Sequence, residues 1–199
     1  QILQCGSVLT DEGLNTLGEQ NIGCAPLPWV IPQPMAMITN KKIDLFKSNT
    51  SHYQMMKDLQ MQWKQWSAEN PAIFITYNGH AFDEELVRRQ FFWNLLEPYT
   101  TNTNGNGRLD LMLMIHNIAA FFSDEISMPL FEGGPGISYK LEHLAIEHGI
   151  DAGDAHDAIA DCNLMIEMCR IIKERLPEVF QSFINISTKP GVKELLYSE

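Results

Sequence analysis

What this 199-residue chain lacks narrows its class first. No apolar run approaches the ~20 residues that a membrane span requires, runs such as Ala72 to Tyr77 (AIFITY) falling far short, and no secretory signal opens the sequence. These absences point to a soluble, cytoplasmic protein. Cysteine is scarce: Cys5, Cys24, Cys162 and Cys169 are scattered without CxxC spacing, so neither a zinc knuckle nor a redox pair is suggested and reduced structural thiols are expected. Basic charge is scarce as well. With 14 Lys and Arg against 25 Asp and Glu, the net charge of −11 argues against a protein that coats nucleic acid by its overall field. It leaves room for acidic residues that attract metal cations, which then hold a phosphate. Gly133-Gly134-Pro135-Gly136 lacks the Lys-Ser/Thr of a phosphate loop and reads as a turn. No linker-like stretch divides the chain, and 45% hydrophobic residues supply one domain with a substantial core.

What is present alternates between strand and helix patterns. The opening run ILQCGSVLTD is β-rich and ends at Asp11-Glu12-Gly13; a second extended stretch near Gly18 to Ala25 completes an expected hairpin. A proline-rich loop (Pro26, Pro28, Pro32, Pro34) precedes a helix expected from about Ser51 to Ser67, in which Tyr53, Met56, Leu59, Trp63 and Trp66 recur every three or four residues as a core stripe. AIFITYN reads as a buried strand that stops at Asn78-Gly79, ahead of a helix from Asp83 to Leu96. The polar loop Thr101 to Arg108 reads as flexible. Asp110 is placed to cap a helix running to about Phe122; Ser138 and Gly149 are placed to cap and end the next. A last long helix is expected from about Asp157 to Arg175. This order indicates a mixed sheet covered by helices.

Two carboxylate motifs carry the chemistry: YNGHAFDEELVRR (Tyr77 to Arg89) and GDAHDAIAD (Gly153 to Asp161). In the second, His156 and Asp161 would differ by roughly 140° around a continuous helix and could not share a face. The pair works if His156 lies on the loop before the helix and Asp161 one turn inside it. A loop imidazole has an unperturbed pKa of about 6.5 and accepts a proton near neutral pH.

With these motifs the chain resembles the DEDDh 3′ to 5′ exonucleases of the ribonuclease H-like fold. YNGHAFDEELVRRQFFWNLLEPY, GRLDLM, SYKLEHLAIEHGI and AHDAIADCNLMI are most similar to the nuclease domain of the bacterial exonuclease I type, over about Ala72 to Phe183. The resemblance implies Asp83 and Asp161 as metal ligands and His156 as general base, around two Mg²⁺ or Mn²⁺ ions that act on single-stranded DNA. It also implies Arg88 and Lys140 as phosphate contacts and Tyr99 as a base-stacking surface. His116 stands where the family carries arginine, which weakens a phosphate contact at neutral pH. The product would be nucleoside 5′-monophosphates, and the protein a monomer.

The family begins with a strand carrying DxE, whose two carboxylates bind both metals. The given sequence starts at Gln1, which resembles the beginning of the following strand, so residues 1–199 read as one exonuclease domain lacking its first strand, with no second domain. Asp11-Glu12 is a poor substitute, because adjacent side chains point to opposite faces of a strand. Without that central strand its neighbours would hold unpaired backbone groups. Two alternatives stay open: an exoribonuclease of the same fold, and a catalytically incomplete nucleic-acid-binding module.

Overall fold

The computed structural model describes residues 1–31, 33–34, 43–151 and 158–198. Strands β1 (Gln4–Thr10) and β2 (Thr16–Gly23) form an antiparallel hairpin, with Gln4 opposite Gly23 and an irregularity between Leu9 and Thr10. Asp11 fastens the turn, its carboxylate accepting from the Asn15 backbone N–H at 2.8 Å. Helix α1 (His52–Trp66) follows, capped by Ser51, whose Oγ accepts from Gln54 N. Its stripe is core, as expected, at Met56, Leu59 and Trp63, whereas Tyr53 lies half in solvent.

Strand β3 (Ile73–Thr76) leads into α2 (Asp83–Trp93). The loop expected to be flexible is instead tied down. Thr100, Thr101, Asn106 and Gly107 are buried, and the Asn106 amide is held at both ends, Oδ1 accepting from Ala72 N and Nδ2 donating to Thr100 O, each at 2.9 Å. Part of it is a strand, β4 (Gly107–Asp110), lying parallel to β3 with Thr76 opposite Asp110. Asp110 then caps α3 (Leu111–Phe121), accepting from Met112 N.

Helix α4 (Leu141–Glu147) starts two residues beyond the point where Ser138 would cap it. Ser138 Oγ bonds His143 Nδ1 at 2.7 Å instead, and Lys140 holds the cap position without a side-chain bond. Gly149, at φ 72°, follows the helix end as expected. Helix α5 (Ala158–Arg175) is succeeded by α6 (Pro177–Asn185) and α7 (Lys189–Tyr197). No helix among the described residues is long and apolar enough to cross a membrane.

Two apolar clusters hold this mixed α/β fold. One joins α1 and α2 to the hairpin around Met55, Met56, Leu59 and Phe91; the other joins β4 to α3, α4, α5 and α6 around Leu111, Met114, Ile118 and Ile172. Each such fully buried side chain contributes about 1.5–3 kcal/mol of transfer free energy. Among the described residues the strands pair two by two, β1 with β2 and β3 with β4. Every residue of β1 and of β3 borders a single slot of about 1790 Å³ between the two pairs. For that reason β3, expected to be buried, is half-buried along its whole length.

Candidate active site

The slot gathers the predicted site residues from distant parts of the chain. Asp83 enters from the first turn of α2, and Asp161, half-buried, from the first turn of α5. Arg88 and Lys140 line the same slot. Tyr99 adjoins it, its ring centroid 6.0 Å beneath the Arg88 guanidinium, which also pairs with Glu85. His116 stands apart from the slot, packed edge-on against Tyr139 with ring centroids 4.2 Å apart. His156 lies outside the described residues.

Local chemistry fixes how Asp83 is presented. After β3 the chain turns through Asn78 at φ 58°. The buried Asp110 carboxylate holds that turn, accepting from Asn78 N at 2.9 Å and His80 N at 3.1 Å. The next helix therefore begins at Asp83, over the end of the strand. Loss of water around the Asp83 carboxyl, and secondarily the negative charge of Asp110, push its pKa up although the residue itself is exposed. Desolvation likewise pushes up the neighbouring Glu84, against the opposing pull of Arg108 at 2.9 Å and His80 at 3.3 Å. On the opposite wall burial raises the Cys5 thiol to about 11, with a smaller contribution from Asp83.

Partly desolvated carboxylates, with Asp83 pressed further by the charge of Asp110, suit a hard divalent cation, which would relieve both the desolvation and the repulsion. They supply only part of a ligand set. Among the described residues no group of three His, Cys, Asp or Glu is placed to hold a metal.

The chain is 28% identical to Escherichia coli exodeoxyribonuclease I over 211 residues, spanning 97% of this chain and 40% of that protein. The Haemophilus influenzae exodeoxyribonuclease I is 34% identical over 133 residues, spanning 66% of this chain and 28% of that one. The zinc-bound E. coli exonuclease I complex with single-stranded DNA superposes with a TM-score of 0.85 at 25% identity, over 97% of this chain and 41% of that one. The chain is homologous to exodeoxyribonuclease I. Its fold is the ribonuclease H-like fold of the exonuclease I nuclease domain. No family model matches, and the matches span 28% to 46% of the length of these curated exodeoxyribonuclease I proteins.

Sequence reasoning missed Glu84, Arg108 and Cys5 as members of the slot wall. The acidic triple Asp83-Glu84-Glu85 was a visible signal in the sequence but reads equally as an ordinary helix start, where the helix dipole favours carboxylates. Arg108 carried no such signal, because only the parallel pairing of β4 with β3 brings it beside Glu84.

Proposed function

We propose that this chain is one exonuclease domain of exonuclease I type, which removes nucleoside 5′-monophosphates from the 3′ end of single-stranded DNA. The observation that carries the reading is the convergence of Asp83 and Asp161, from two separate helix starts, on the walls of one slot. Homology to exodeoxyribonuclease I supports it.

In this reading Asp83 and Asp161 hold Mg²⁺ or Mn²⁺, and His156 accepts the proton of the attacking water. The divalent ions, when bound, supply Lewis acidity at the phosphate and neutralise charge on the departing oxygen. Arg88 and Lys140 orient the strand through its phosphates, with Tyr99 as a sequence-tolerant stacking surface. The remaining carboxylates come from an extended DxE strand seated between β1 and β3. The slot supports this, because among the described residues both bordering strands offer it an unpaired edge.

Digestion of 3′-labelled and 5′-labelled single strands with Mg²⁺ tests the proposal. Stepwise loss of the 3′ label is expected from the full-length protein, reduced by about 10³-fold or more in Asp161→Asn, as befits removal of a metal ligand. Inactivity, or full activity in the variant, refutes it. Parallel RNA of equal sequence separates an exoribonuclease. The incomplete ligand set favours a second reading, a nucleic-acid-binding module without catalysis; calorimetric detection of two Mn²⁺ sites would exclude it.

A further inference from the structure

A second cavity, of about 440 Å³, opens at the outer side of β4 against α7. Arg108, Lys189, Lys193 and His80 line it together with uncharged residues, and no carboxylate does, in a chain whose net charge is −11. Neither lysine pairs with a carboxylate among the described residues. Two unneutralised ammonium groups beside one another repel, and a bound anion removes that repulsion.

The cleft is built rather than incidental. The Arg108 N–H donates to Ser187 O at 2.9 Å, stapling the α6–α7 junction to the sheet edge. Gly107 permits that approach: a Cβ there would stand 2.7 Å from Ser187 Oγ and 3.0 Å from Ser187 O. Thr188 caps α7, its Oγ1 accepting from Gly191 N at 3.3 Å. With the start of α7 fixed, Lys189, Lys193 and Tyr197 follow at intervals of four and share one face. Arg108 lines both this cleft and the slot, and it pairs with Glu84, the neighbour of Asp83. The cleft is thus next door to the candidate active site.

We propose that this cleft binds a nucleotide, with the phosphoryl group between Lys189 and Lys193 and the base against the Tyr197 ring. Compact ammonium groups attract phosphate as point charges, and an exposed aromatic face accepts any base. The volume falls within the range of about 300–1,000 Å³ common for small-molecule sites. The identity of the ligand as a nucleotide rests on the nuclease reading. The ligand is either a backbone residue of the strand or a free nucleoside 5′-monophosphate, which share this chemistry.

Binding is measured without catalysis, by titrating the ¹⁵N-labelled full-length protein in EDTA with thymidine 5′-monophosphate, with an eight-residue oligothymidylate and with inorganic phosphate. Both nucleotide ligands are expected to shift the amides of Ser187, Lys189 and Lys193 saturably. In the Lys189→Glu/Lys193→Glu variant the dissociation constant rises by at least about tenfold, the effect of losing two charge-assisted contacts. The milder Lys189→Gln/Lys193→Gln variant gives an intermediate rise, guarding against a misfolded charge reversal. Tighter binding of the oligonucleotide assigns the cleft to the strand, and equal binding assigns it to the monophosphate. Absent shifts, an unchanged constant in the charge-reversed variant, or inorganic phosphate binding as tightly as the monophosphate would overturn the proposal. Since EDTA prevents cleavage, an inactive nuclease and an empty cleft are separate results.

Discussion

Asp110 touches no candidate ligand, yet its hydrogen bonds decide where Asp83 stands. Its two oxygens accept from the backbone N–H groups of Asn78, His80 and Met112, so one buried carboxylate both caps α3 and closes the turn before α2. Hydrogen bonds to a charged acceptor contribute about 1.5–3 kcal/mol each, and stranded buried donors cost a similar amount. Asp110→Ala is therefore expected to lower unfolding free energy by about 3 kcal/mol or more in a urea titration. Asp110→Asn, which keeps the shape and one acceptor, should lose less; equal stability of the alanine variant and the parent would refute this account. From sequence, Asp110 was legible only as a helix cap. Its second duty depends on the register that sets Thr76 opposite Asp110, a pairing between strands far apart in the chain.

At the scale of elements, the segments with strong local signals were readable: the hairpin, α1 with its Ser51 cap, and α5 with its long periodic run. Strand β4 was not, because GRLD is four residues of mixed polarity whose strand state comes from its neighbour. Helices α6 and α7 were not read from the sequence; Pro177 and Pro190 each sit in the first turn of one of them, where the missing N–H costs nothing. The approach of α5 to β1 includes a tight contact at Gly6. A Cβ on Gly6 would lie 2.7 Å from the backbone C and O of Ala158, three residues before Asp161. Gly6→Val should push the start of α5 away from β1, weaken Mn²⁺ binding about tenfold or more in calorimetry, and cost about 1–3 kcal/mol of stability through overpacking. For the smaller Gly6→Ala, a companion Ala158→Gly should restore part of the loss. A second-site change without effect would mean that the two do not set the spacing.

For the molecule as a whole, partly desolvated imidazoles and carboxylates oppose each other as the pH falls. Desolvation is the leading cause that lowers the pKa of both His52, at the start of α1, and His148, which follows α4 and reaches Ser127 O at 3.1 Å. A lowered folded pKa means that the unfolded chain takes up protons first. Stability from these two residues is complete above the ordinary imidazole pKa of about 6.5 and is lost as the pH drops through the depressed folded values. Asp83 and Glu84 act with the opposite sign. Their pKa values are raised in the fold, so the folded chain takes up protons first above the ordinary carboxylate range of about 4, and stability increases as the pH falls toward it. As the pH falls from 7 toward the ordinary carboxylate range, the parent chain in EDTA therefore carries both slopes. Removing the histidines should leave the carboxylates alone. In His52→Gln/His148→Gln the urea midpoint is expected to hold or rise from pH 7 to pH 5, whereas the parent midpoint is lower at pH 5 relative to that variant's. Adding Asp83→Asn should flatten the remaining rise, because an amide at that position no longer gains a proton on acidification. A midpoint of the double variant that falls as steeply as the parent's would place the acid sensitivity elsewhere, and with it the claim that the slot carboxylates are strained at neutral pH without a cation.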